Sequence, residues 1–238
     1  MPEIVPGDDL GAQIVQAVGK AGLQIGARDI FVITQKIVSK AEGRMIPLES
    51  VAPSPLAREW AAAQQKDPRV LELILRETRR VVRMDRGILI AETKNGFVCA
   101  NAGVDASNCP EGTVTLLPEN PDESARKLRT RLQEAFGVPL AVIISDTFGR
   151  PWREGVVNVA LGVAGLAPLR DYRGQPDTYG RPLQVTVVAL ADELAAAAEL
   201  VMRKTSRVPV AVIQGFDYDR TDGAGRDLLR PAEQDLFR

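Results

Sequence analysis

The chain has no histidine. That excludes a Ser-His or Cys-His nucleophile pair and every His-ligated metal site. Its 2 cysteines, Cys99 and Cys109, cannot make a disulfide framework. No apolar run reaches membrane-spanning length and no signal peptide opens the sequence, so a cytoplasmic protein with no membrane partner is expected. The net charge of -1 leaves no basic footprint for nucleic acid. There is no Gly-x-x-x-x-Gly-Lys-Ser/Thr loop and no Gly-x-Gly-x-x-Gly after a strand, which removes the P-loop and Rossmann readings. Chemistry must then come from carboxylates, amides, hydroxyls, Lys and Arg. A metal held by oxygen alone would be Mg²⁺ or Mn²⁺ rather than zinc.

What is present centres on residues 97–108, where an apolar run ends in two amides, a carboxylate, a hydroxyl and a glycine. The stretch reads either as an Asx-capped polar turn or as a backbone approach to a ligand with Asp105 aimed at a cation. A second constellation follows residues 140–144. There Asp146 and Thr147 offer hard oxygens at the end of a buried strand, and Arg150 and Arg153 offer forks for phosphate or carboxylate. Its plain alternative is a strand-to-loop corner around Trp152.

Along the chain, Asp8 or Asp9 caps a helix whose apolar face is Leu10, Ile14 and Val18. Residues 29–38 read as a buried strand. Lys36 and Lys40 near its end either meet an anion or stay solvated. Residues 53–78 read as two helices divided at Asp67-Pro68, one with a stripe of Leu56, Trp60 and Ala63, the other with Val70, Leu71, Ile74 and Leu75. Arg79, Arg80, Arg83 and Arg86 form a solvated face or an anion platform. Lys94-Asn95-Gly96 marks a hairpin between strands at 87–92 and 97–100. A strand at 114–117, a helix at 121–136 and a continuous aliphatic strand at 140–144 follow. Residues 155–166 are a strand or a close-packed interface segment, and 171–180 a loop suited to substrate or dimer contact. A strand at 183–190, a helix at 192–202, a basic turn at 203–209 and a strand at 210–213 lead to a charged tail that docks Leu236 and Phe237.

Six ordered stretches together resemble the coenzyme F420-0:L-glutamate ligase (gamma-glutamyl ligase) family: residues 6–10, 36–44, 101–108, 145–153, 191–195 and 235–238. The resemblance implies one α+β ligase domain over 1–238, with mixed and antiparallel sheets flanked by helices, that works as a homodimer. It implies GTP-dependent addition of L-glutamate to coenzyme F420-0, then of further γ-linked glutamates, through an acyl phosphate, with Mg²⁺ or Mn²⁺ and K⁺ as cofactors. By position it places metal ligands on Asp105, Asp146 and Thr147. Guanine-nucleotide contacts fall on Pro2, Glu3, Ile4, Gln35, Lys36, Lys40, Asn108, Met202, Arg203 and Lys204. Two departures stand out. Met1 already lies at the segment that a short strand usually precedes, so either the given start is late or the edge strand is absent. The turn after residue 202 lacks the usual glycine and offers no carboxylate. A non-catalytic nucleotide- or deazaflavin-binding relative is the alternative that these departures suggest.

Overall fold

The computed structural model describes residues 1–236. Its elements, in chain order, begin with α1 (Leu10–Lys20), β1 (Ile30–Thr34), α2 (Gln35–Ala41), β2 (Met45–Pro47), α3 (Pro55–Gln64) and α4 (Pro68–Glu77). Next come β3 (Thr78–Asp85), β4 (Ile88–Thr93), β5 (Val98–Ala100), β6 (Thr113–Thr115) and α5 (Pro121–Phe136). The chain continues through β7 (Ala141–Arg150), β8 (Arg153–Ala164), β9 (Arg170–Asp171), β10 (Val187–Val188), α6 (Leu190–Met202) and β11 (Val210–Ile213).

The central sheet runs β11-β1-β7-β8, with β1 parallel to β7 and the other pairs antiparallel. This is the mixed sheet of an α+β protein. Strand alternation sorts its core. Phe31 and Ile33 face Ile14, Val18, Leu128 and Leu132 of α1 and α5, while Ile30 and Val32 face Leu194, Ala195 and Ala198 of α6. The first four β1 residues, Ile30 to Ile33, are fully buried, which is why that run is apolar at every position. A second core gathers α3, α4 and the antiparallel β3-β4-β5 sheet around Leu71, Ile74, Leu89 and Ala91.

Several boundaries differ from the sequence expectation. The strand starting at Ile30 stops at Thr34, and residues 35–41 are helical, so Gln35, Lys36 and Lys40 ride on α2. Ile37 and Val38 pack into the core from a helix, and packing there overrides their β preference. Ala57 and Ala61 form the buried stripe of α3, with Leu56 exposed. The arginine cluster lies on or beside β3, where Arg79 and Arg80 pair with Glu92 and Arg83 with Asp85. Only Val187–Val188 of 183–190 is strand. Leu236 is exposed rather than docked, and Phe237 lies outside the described residues. No helix among the described residues is long and apolar enough to cross a membrane.

One buried acid ties α3 to α4. Glu72 accepts from the Ser54 backbone N–H at 2.9 Å and from Arg76 at 2.8 Å. Those bonds, the Ser54 backbone one foremost, pull its carboxyl down to about 2 from 4.5. The unfolded chain therefore binds more protons between those values, so this stabilisation is complete above pH 4.5 and is lost as pH falls toward 2. Glu72→Gln is expected to cost roughly 1–2 kcal/mol at neutral pH, after allowance for solvent screening, and nothing near pH 2. Urea denaturation of both proteins at the two pH values checks this.

Candidate active site

A cleft of about 1150 Å³ opens where the C-terminal end of β1, the second half of β7, the N-terminus of α2 and the polar turn after β5 meet. Residues 1–4 and the turn after α6 complete its walls. Asp105 enters through a short bridge to Thr115 that pins the backbone after β5 against β6. Just before it the chain passes through positive φ at Asn101, Ala102 and Gly103. A Cβ on Gly103 would fall 2.5 Å from Leu117 Cγ, so the sharp bend requires glycine there.

Lys36 reaches from α2 to Asp105, forming an ion pair and also donating to the Ser107 carbonyl at 2.9 Å. Ser107 donates to Asp105 Oδ2 at 2.5 Å through its hydroxyl and to Oδ1 at 2.8 Å through its N–H. Burial pushes the Asp105 carboxyl up, but the Lys36 and Ser107 hydrogen bonds outweigh it and hold the acid below its ordinary value. Lys40 pairs with Glu3 and donates to the Asn108 carbonyl at 2.7 Å. Its side chain is only 6% exposed, which decides against a solvated lysine. A buried cation needs a charge partner, and Glu3 supplies it here.

Asp146 stands in the middle of β7 rather than at its end, because the strand continues as a hairpin into β8. Burial pushes its carboxyl up to about 6, against the Thr147 N–H, the Lys36 charge and a Gln35 hydrogen bond; the Asp105 charge adds to the rise. Burial and then the Asp146 charge drive the Cys99 thiol up to about 12, so Cys99 is a neutral wall residue.

Thr147 follows Asp146 on β7 and lines the same cleft. Its hydroxyl donates to Asn158 Oδ1 at 2.7 Å and accepts from Lys204 at 2.6 Å. Lys204 also pairs with Glu199 at 3.1 Å. Arg203, just before it, is held at φ 52° and ψ 165°, a region that favours glycine and costs other residues ~1–3 kcal/mol.

The cleft thus brings together Pro2, Glu3, Ile4, Gln35, Lys36, Lys40, Asp105, Asn108, Asp146, Thr147, Met202, Arg203 and Lys204. It does not include Arg150 or Arg153, which sit exposed at the tip of the β7–β8 hairpin, Arg150 donating to the Glu154 carbonyl at 2.9 Å. Asn158 and Glu199, which also line the cleft, are not among the residues the sequence points to. Asn158 is the one polar residue of an otherwise apolar strand segment, and that interruption was its signal.

Among the described residues no three acid or thiol side chains cluster as a metal site. Two carboxylates and a hydroxyl nonetheless fit Mg²⁺ or Mn²⁺, which take one or two protein carboxylates and fill the remaining positions with water and substrate phosphate. The raised carboxyl of Asp146, short of positive charge, is the observation in favour.

Residues 1–215 match the family model described as F420-0:Gamma-glutamyl ligase. The chain is 50% identical over 241 residues to the coenzyme F420:L-glutamate ligase of Methanothermobacter thermautotrophicus, covering 100% of this chain and 96% of that one. It is 48% identical over 241 residues to the protein of the same name from Methanopyrus kandleri, covering 99% and 94%. For Methanocaldococcus jannaschii the identity is 46% over 211 residues, covering 88% and 84%.

Proposed function

This chain belongs to the F420-0:gamma-glutamyl ligase family, and from that membership we propose that it joins L-glutamate to coenzyme F420-0 by an amide bond, with GTP converted to GDP and phosphate. The observation that carries the reading is a single cleft in which two buried or nearly buried lysines stand beside two converging acids. Lysines there suit phosphates, and the acids suit the divalent ion that accompanies them. At about 1150 Å³ the cleft exceeds the usual size for one small ligand, which suits a nucleotide and a second substrate together.

The chemistry follows from the bond to be made. A carboxylate resists an amine because its leaving group would be oxide. Transfer of the γ-phosphoryl breaks the bond to the β-phosphate bridging oxygen and forms a carboxyl–phosphate bond. The glutamate amine then attacks the carbonyl carbon, the C–O bond breaks, phosphate leaves, and the ammonium proton passes to a carboxylate or to solvent. Lys36 and Lys40 hold phosphate oxygens in line and offset their charge. Asp105 and Asp146, with Thr147 beside them, would hold Mg²⁺ or Mn²⁺, which when bound neutralises charge on the migrating phosphoryl. Pro2, Glu3, Ile4, Gln35, Asn108, Met202 and Arg203 would hold the guanine nucleotide. K⁺ activation, γ-linked extension by further glutamates and a homodimer belong to the same proposal.

Calorimetry with GTP and Mn²⁺, followed by mass spectrometry of F420-0 incubated with glutamate and GTP, tests it. Nucleotide binding and one or more added glutamates are expected. Binding with no addition would favour a non-catalytic nucleotide-binding relative, and absence of both would end the reading.

A further inference from the structure

At the α6 end of the cleft a single ammonium is ringed by three oxygens of the chain. Lys204 Nζ lies 2.6 Å from Thr147 Oγ1, 3.1 Å from Glu199 Oε1 and 3.3 Å from Asn158 Oδ1. The Thr147 and Asn158 contacts are hydrogen bonds and the Glu199 contact is an ion pair. They come from β7, α6 and β8, three separate elements. The oxygens are also fixed to one another. Thr147 donates to Asn158 Oδ1 at 2.7 Å, and Asn158 donates to Glu199 Oε2 at 3.2 Å. Asn158 is buried, and its register opposite Thr147 is set by the β7–β8 ladder.

A hydroxyl, an amide oxygen and one carboxylate make a hard-oxygen triangle of charge about −1, which matches a monovalent cation better than a divalent one. The cation in this triangle is tethered to the chain. We infer that Lys204 is a built-in monovalent cation, filling an oxygen site at Thr147, Asn158 and Glu199 that would otherwise accept a free ion. The same ammonium engages one Thr147 lone pair and leaves the other for a divalent ion beside Asp105 and Asp146. That last consequence rests on the ligase reading; the triangle itself does not.

The test is a thermal melt of metal-free, nucleotide-free protein. Wild type and Lys204→Ala are compared in ammonium, potassium and tetramethylammonium chloride at one ionic strength. Lys204→Ala is expected to melt roughly 3–6 °C below wild type in tetramethylammonium, a large cation that the triangle excludes, and to recover most of the difference in ammonium or potassium. Wild type should melt alike in all three salts. Adding Glu199→Gln to Lys204→Ala should abolish the recovery. A variant indifferent to the salt, a wild type that responds as strongly, or recovery that survives Glu199→Gln would each overturn the inference. If Lys204→Ala does not fold, Lys204→Met keeps the apolar stem and is measured in the same salts. Failure of manganese binding would sink the divalent site of the ligase reading and leave these melts standing.

Discussion

Asp146→Asn is expected to lower glutamate addition by at least ~10²–10³-fold and, in the same protein freed of metal, to raise the melting temperature. The two effects have one cause. Burial leaves the Asp146 carboxylate poorly solvated, and Asp105 repels it, so its carboxyl rises to about 6 from 3.8. A folded-state value above the unfolded one means that the folded chain holds the proton more tightly between them. Stability therefore falls as pH rises from 3.8 through about 6, and the loss is complete above that. Its ceiling is about 3 kcal/mol for a shift of this size. Asparagine keeps an oxygen for the Thr147 N–H and removes the charge, so it recovers part of that loss. A gain of several degrees is expected at pH 8 in chelator, shrinking to nothing near pH 4. What stability gains, function loses, because a neutral amide cannot answer a divalent charge as a carboxylate does. Melts across pH beside a mass-spectrometric rate measure both. A stability gain that persists at pH 4 would remove ionisation as its cause, and unchanged turnover would remove Asp146 from the site.

The residues that could be read from sequence are those whose surroundings are local. Helix α5 begins where Asn120 and Pro121 announce it, and Asn120 does accept from the Glu123 N–H at 3.1 Å. Strand β11 and the Lys94-Asn95-Gly96 turn also lie where pattern puts them. The first strand was overrun because Ile37 and Val38 continue a β-branched run while the chain has already turned into α2. Strand β3 went unread because it is exposed along nearly its whole length and carries no apolar alternation toward a core. At the site, Asp105 and Asp146 stood out as acids among small and apolar neighbours. Arg150 and Arg153 were grouped with Asp146 by sequence distance alone. Extension at ~3.3 Å per residue carries Arg150 ~13 Å along β7, which puts it at the hairpin tip. Asn158 and Glu199 needed the strand register and the seating of α6, neither of which a single sequence prints.

Asp122→Ala is expected to cost about 3–5 kcal/mol and to free the segment after residue 222 from the body of the protein. Asp122 is a buried acid in the first turn of α5, 8% exposed, and among the described residues no lysine or arginine side chain donates to it. Its Oδ1 accepts from the Val163 N–H at 3.0 Å and the Gly225 N–H at 2.6 Å, and Oδ2 faces the Arg226 N–H at 3.4 Å. The helix N-terminus favours negative charge at this position. One carboxylate thus fastens the start of α5, the bulged region of β8 and the C-terminal segment, three pieces distant in sequence. The packing around it leaves no slack. A Cβ on Gly162 would fall 2.1 Å from the Pro121 carbonyl oxygen, and one on Gly225 2.3 Å from the Leu161 carbonyl oxygen. Alanine at 122 strands two buried N–H groups, each costing ~1–3 kcal/mol. A loss of that size removes a large fraction of an ordinary domain's stability, so the melting temperature should drop by roughly 6–20 °C. Asp122→Asn retains one acceptor oxygen and should cost only about a third as much. Hydrogen exchange locates the effect: in the alanine variant the Gly225 and Arg226 amides should lose protection before the core of β1 does. Equal losses in the alanine and asparagine variants, or unchanged protection at Gly225, would show that packing rather than the carboxylate holds this junction together.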